Sequence, residues 1–159
     1  MKYFDLVDFD ISLLRFPPSF YGFEKIFTTK DIKITSDPMN KEAKILTGPN
    51  DLLLKNYRKF DILYSKTYEY SLELFAKAKE QNKPFLLSIS DIFSNPLNIY
   101  RIRNFIKVAR HYDIKLIVVS LAKNEFMIRS TEESAFILSH CGMNKDQVRY
   151  SYSLLQRLL

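Results

Sequence analysis

Along residues 3–11, Tyr3, Asp5, Val7, Phe9 and Ile11 fall on one face of an extended chain and Phe4, Leu6, Asp8 and Asp10 on the other. This period-two pattern predicts a strand. Pro17-Pro18 breaks the chain, and the aromatic stretch 20–27 predicts a short strand or one helical turn. Residues 31–35 alternate cleanly. Residues 44–47 follow the Asp37-Pro38 turn and close on Gly48-Pro49-Asn50, giving two more short strands. A brief helix over 51–58 leads into a strand over 60–66, rich in apolar and β-favouring residues.

The strand–helix alternation then strengthens. Residues 69–81 carry helical spacing up to Lys83-Pro84, and 85–89 form an apolar strand. Asn95-Pro96 supplies a capping residue and a first-turn proline for a long helix to residue 112. Residues 114–120 read as a buried parallel strand. Residues 131–140 read as a helix capped by Ser130, with Glu133 three positions on, and ended by Gly142. A last helical stretch covers 145–159, with an interruption near Ser151. Repeated strand–helix units predict a parallel α/β sheet with right-handed crossovers, and six or seven strands predict a compact β/α (TIM)-barrel-like closure. An eight-fold barrel typically takes about 250 residues. Some helices in the N-terminal half must therefore be shortened or missing. No internal repeat or linker divides the chain, so one domain over 1–159 is expected.

With 47% hydrophobic residues the chain can bury a sizeable core. Its longest apolar runs, such as Leu116–Val119, fall far short of the roughly 20 residues that span a bilayer, so no membrane association is expected. The first residues carry acids early and do not read as a targeting peptide. One cysteine, Cys141, cannot form an internal disulfide, and a cytoplasmic protein is expected. The net charge of +6 is uneven: residues 1–100 hold 14 basic and 13 acidic side chains, residues 101–159 hold 10 and 5. A basic C-terminal third points toward a polyanionic partner, although a solvated surface gives the same composition.

Catalytic chemistry is poorly supplied. Metal-dependent hydrolases on β/α barrels gather several imidazoles and carboxylates at strand ends. Here there are two histidines, His111 on the exposed side of the long helix and His140 at the end of another. Asp5, Asp8 and Asp10 share one strand, but Asp5 points away from the other two. Cys141 lacks an activating context, no serine sits in a nucleophile elbow, and three glycines build no phosphate-cradling loop. No catalytic residue, metal ligand or cofactor is expected in this chain. A metal-dependent phosphoesterase on a similar barrel is the enzymatic rival. A protein-only interaction module, anchored by exposed members of the 10 Tyr and 13 Phe, is the other.

The informative constellation is basic. Arg103, Lys107 and Arg110 recur at i, i+4 and i+7 along the long helix, one positive stripe with no acid in it. Ile102, Phe105, Ala109 and Tyr112 fall in a different sector and should pack on the sheet. Arg101 is expected to project toward that apolar side, where a guanidinium needs a partner. Lys123, Arg129 and Arg149 follow a strand or lie beside a helix start, where anions bind. Arg129 and Ser130, in a loop entering a helix, are candidates for phosphate contact. An internal salt bridge is the alternative for Arg129.

The run 97–122, with Arg101, Arg103, Ala109-Arg110 and Tyr112 ahead of the 114–120 strand, resembles the archaeal ribonuclease P protein component 3 family, shared with the eukaryotic thirty-kilodalton subunit. Ser120-Leu121-Ala122, Ile128-Arg129-Ser130, Gly142-Met143 and a closing helix ending in Leu158-Leu159 follow that family's order and spacing, so that the resemblance covers residues 85–159. Thr131 stands where the family usually has proline. The resemblance implies a barrel-like subunit that joins a catalytic RNA, protein component 2 and other protein subunits to remove the 5′ leader of precursor tRNA, touching the tRNA indirectly. It implies too that catalysis belongs to the RNA and its magnesium ions.

Overall fold

The structure, a computed structural model, describes residues 1–158. Leu159, the end of the sequence resemblance, lies outside them. Seven strands among the described residues are all parallel to their neighbours. β1 (Phe4–Val7) pairs with β2 (Lys25–Thr28), and β3 (Ile34–Thr35), β4 (Ile45–Thr47), β5 (Ile62–Tyr64), β6 (Phe85–Ser88) and β7 (Leu116–Val119) form a five-stranded sheet in chain order. Every residue of β1, β4, β5, β6 and β7 is buried, as parallel strands covered on both faces require.

The two sheets meet at one seam. Just past β7, the Leu121 N–H donates to the Leu6 carbonyl and the Asp8 N–H donates to the Ala122 carbonyl, both at 2.8 Å. No ladder joins β2 to β3. The predicted parallel α/β class holds, and the arrangement is two sheets rather than a closed barrel.

Helices cross between the later strands. α1 (Asn50–Asn56) follows β4, α2 (Leu72–Glu80) follows β5, α3 (Ile89–Ser94) and α4 (Asn98–His111) follow β6, and α5 (Thr131–Ser139) and α6 (Lys145–Leu154) follow β7. Among the described residues only two 3-10 turns, Ile11–Leu13 and Pro18–Tyr21, separate β1 from β2, so the N-terminal helices are indeed shortened or missing. Phe75, Phe85, Phe105 and Tyr68 meet edge to face at 5.1–5.6 Å and bind α2 and α4 to the sheet.

Several expected boundaries move, each for a local reason. The strand over 3–11 stops at Val7 because Asp10 Oδ1 accepts the Ser12 N–H and turns the chain. The strand over 31–35 shrinks to Ile34–Thr35 because Asp31 Oδ2 accepts both the N–H and the hydroxyl of Thr28, closing a turn. Asn95 does not cap the long helix. Its Oδ1 accepts the Leu97 N–H at 2.9 Å, and α4 begins after Leu97 with no side-chain cap. The interruption expected near Ser151 comes later, where α6 tightens into a 3-10 turn at Leu155.

Candidate nucleic-acid interface

α4 presents two sectors. Ile102, Phe105, Ile106 and Ala109 are buried against the sheet, while Arg103, Lys107 and Arg110 stand exposed on the other side. The spacing read from the sequence thus produces the stripe. Arg103, Lys107 and Arg110 line, with Tyr100, Asn104 and Gly142, a shallow groove of about 840 Å³ between α4 and the α5–α6 turn. Arg110 Nη1 donates to the Gly142 carbonyl at 2.9 Å, which ties this helix to that turn. Gly142 holds φ +93, the left-handed region where glycine ends a helix without strain. Beneath the groove the buried Cys141 thiol is pushed up by desolvation, an effect the nearby Arg103 charge partly offsets.

Arg101 departs from the expectation. It is exposed, because the buried sector of α4 runs through Asn98, Ile102, Phe105, Ile106 and Ala109 and leaves Arg101 outside it, in solvent with Leu97, Ile99 and Tyr100. Among the described residues Arg101, Arg103, Lys107 and Arg110 take part in no ion pair. Four cations of one helix therefore face outward with no acid among the described residues paired to them.

The other predicted positions lie elsewhere. Arg149 on α6 pairs with Glu132 of α5, which Lys145 also contacts at 2.6 Å, so its charge is spent between helices. Arg129 forms no salt bridge among the described residues. Its Nη1 donates to the carbonyls of Phe126 (2.8 Å) and Ile128 (3.2 Å), and its guanidinium sits 5.5 Å from the centroid of the Phe93 ring. Ser130 caps α5: its Oγ accepts the Glu133 N–H, and its own N–H donates to Glu133 Oε2. Lys123 is exposed at the rim of a cavity past the strand ends.

That cavity, of about 710 Å³, opens at the carboxyl end of the parallel strands, where α/β sheets hold their ligands. Its wall carries a carboxylate that sequence reading passed over. Asp91, in α3, accepts on Oδ2 the hydroxyl of Tyr64 at 2.6 Å and that of Tyr68 at 2.7 Å. The Tyr68 oxygen in turn accepts the Ser88 N–H at 2.9 Å. Burial raises the Asp91 carboxyl above its ordinary range against the lowering effect of the two tyrosines and of Lys66. Both phenols are raised by burial and by the facing carboxylate. Tyr68 holds φ +52 and Leu121 φ +43, left-handed backbone at non-glycine positions in two strand-end loops. Such conformations cluster at ligand sites. The signal available in the sequence was an acid two residues beyond the apolar 85–89 strand, in a stretch with no assigned element.

Of the three acids expected on the first strand, only Asp5 lies in β1, where it is fully buried and accepts from Leu6 N, Ser120 N and Ser120 Oγ, while Asp8 takes the Thr29 hydroxyl and Asp10 caps a turn. They do not converge. His111 lies on the exposed side of α4 and His140 follows α5; neither lines the strand-end cavity. No described helix is long and apolar enough to cross a membrane.

No family model matches the sequence, and no curated protein matches it. Among solved structures, the fold is similar to that of one chain in the cryo-EM structure of archaeal ribonuclease P with mature tRNA: TM-score 0.66 at 11% identity, over 98% of this chain and 80% of that chain.

Proposed function

We propose that the chain is a protein subunit of an archaeal-type ribonuclease P, corresponding to its protein component 3. In this role it supports a catalytic RNA that removes the 5′ leader of precursor tRNA, has protein component 2 as its direct partner, and contributes no catalytic residue. The observation that carries the reading is the fold likeness, over 98% of the chain, to a chain of that assembly. The sequence resemblance over 85–159 is independent of it and points the same way. On this reading the seven parallel strands are a β/α barrel tied at β1–β7 and left open between β2 and β3. The α4 stripe is the RNA-facing surface: Arg103 and Lys107 are exposed, unpaired among the described residues, and spaced one helical turn apart, which suits successive phosphates.

The test is 5′ cleavage of precursor tRNA by the cognate catalytic RNA and the remaining protein subunits at limiting magnesium, with and without this chain. A gain that requires component 2 is expected. Folded protein that gives no gain at any magnesium concentration would rule the assignment out.

A further inference from the structure

The strand-end cavity is assigned no role by the ribonuclease P reading. Asp91 commits Oδ2 to the hydroxyls of Tyr64 and Tyr68, and its Oδ1 takes no hydrogen bond among the described residues. Two buried tyrosines thus hold a carboxylate in one orientation with a free acceptor oxygen, the arrangement by which a carboxylate receives a ribose diol at the end of a parallel strand. Thr47, at the end of β4 in the same wall, is 8% exposed, and its Oγ1 has no partner among the described residues.

Exposed charges of both signs line the cavity: Asp8, whose Oδ1 accepts the Thr29 hydroxyl, Lys33, which is paired with Glu42, and two further lysines. Lys66 and Lys123 both line the cavity, are exposed, and make no ion pair among the described residues. The Lys66 charge lowers the Asp91 carboxyl against its burial, so the two lie within electrostatic reach of each other. Phe93, 56% exposed, also lines the cavity and carries the Arg129 guanidinium over its ring. An exposed ring backed by a guanidinium is a stacking platform for a base. The cavity volume lies within the roughly 300–1,000 Å³ of small-molecule sites.

We infer that this cavity binds a ribonucleoside monophosphate, with the ribose diol on Asp91, the phosphate between Lys66 and Lys123, and the base against Phe93. The nucleotide is either free or the 3′ end of an RNA strand. The two sources share the diol, the phosphate and the base.

Titration calorimetry of the chain with adenosine 5′-monophosphate tests this without any ribonuclease P component, so its result is independent of the assignment above. Saturable 1:1 binding is expected. It should weaken about tenfold for 2′,3′-dideoxyadenosine monophosphate and for Asp91→Asn, with no further loss when the two are combined, and by a similar factor for adenosine and for Lys66→Ala with Lys123→Ala. Circular dichroism controls for folding. The lysine pair, being exposed, keeps the test decisive if Asp91→Asn unfolds. A short oligoribonucleotide with a free 3′ diol, compared with one ending in a dideoxynucleotide, separates the sources: tighter diol-dependent binding than the mononucleotide assigns a strand end, weaker binding a free nucleotide. Absence of saturable mononucleotide binding at millimolar concentration overturns the inference, as does binding that neither the lysine pair nor the dideoxy ligand alters.

Discussion

Asp5 shows how a single carboxylate can fasten two strands together and still oppose folding at neutral pH. It is fully buried, and its oxygens accept the Leu6 N–H (2.9 Å), the Ser120 N–H (2.6 Å) and the Ser120 hydroxyl (2.5 Å), joining β1 to the segment after β7. Desolvation outweighs these bonds and raises its pKa from 3.8 to about 6. A carboxyl raised on folding favours the native state when protonated. Its contribution is fully present below about pH 3.8 and is lost as pH rises through about 6. Asp5→Asn keeps an oxygen for both N–H donors and removes the titration. Urea unfolding of the two proteins should therefore converge or cross: relative to the variant, wild type gains about 2 kcal/mol on going from about pH 7 to about pH 4. A pH-independent difference between them would mean that Asp5 does not titrate in this range.

At the scale of elements, α5 is held at its start by the reciprocal Ser130–Glu133 bonds, and Ser130→Ala should remove about 1 kcal/mol and lower the thermal midpoint by roughly 2–4 °C, read by scanning calorimetry. This cap was legible because every group in it lies within four residues. The start of α4 was not legible for the same locality reason turned round. Asn95-Pro96 has the composition of a cap, but Asn98 reaches back, its Nδ2 donating to the Asp91 carbonyl at 2.6 Å and thereby seating α4 on α3. α3 itself is six residues long, rich in isoleucine and phenylalanine, and has no helical period long enough to read. Arg101 was misplaced because it lies at the edge of the buried sector, which runs through Asn98, Ile102, Phe105, Ile106 and Ala109, on the flank shared with the half-buried Val108 and Tyr112. The Arg103, Lys107 and Arg110 stripe was read correctly because it lies where the helix is seated on the sheet. The Asp91 cavity could not be read, since it depends on Thr47, Tyr64, Tyr68 and Asp91 meeting across three strands and their loops.

For the whole molecule, strand–helix alternation was enough to give a parallel α/β fold, and the surplus of basic over acidic residues beyond position 100 was enough to suggest a polyanion. What the fold adds is a sorting of that surplus. Arg149 and Lys145 are neutralised by Glu132, Arg129 is turned onto carbonyls and Phe93, and Arg110 holds the Gly142 carbonyl. Arg103 and Lys107 remain exposed on one helix face with neither an acid nor a carbonyl bonded to them among the described residues. If that face meets phosphates, each cation displaces a counterion, and Arg103→Glu with Lys107→Glu should lower affinity for the catalytic RNA uniformly across sequences and reduce the slope of log affinity against log salt by about 2. Arg110 is left intact in this variant, because replacing it would also release the α5–α6 turn and confuse a folding effect with a binding one. Filter binding across a salt series, with thermal unfolding as the control, reads the slope directly. An unchanged slope with native stability would make the stripe an ordinary solvated face and move RNA contact to another surface of the chain.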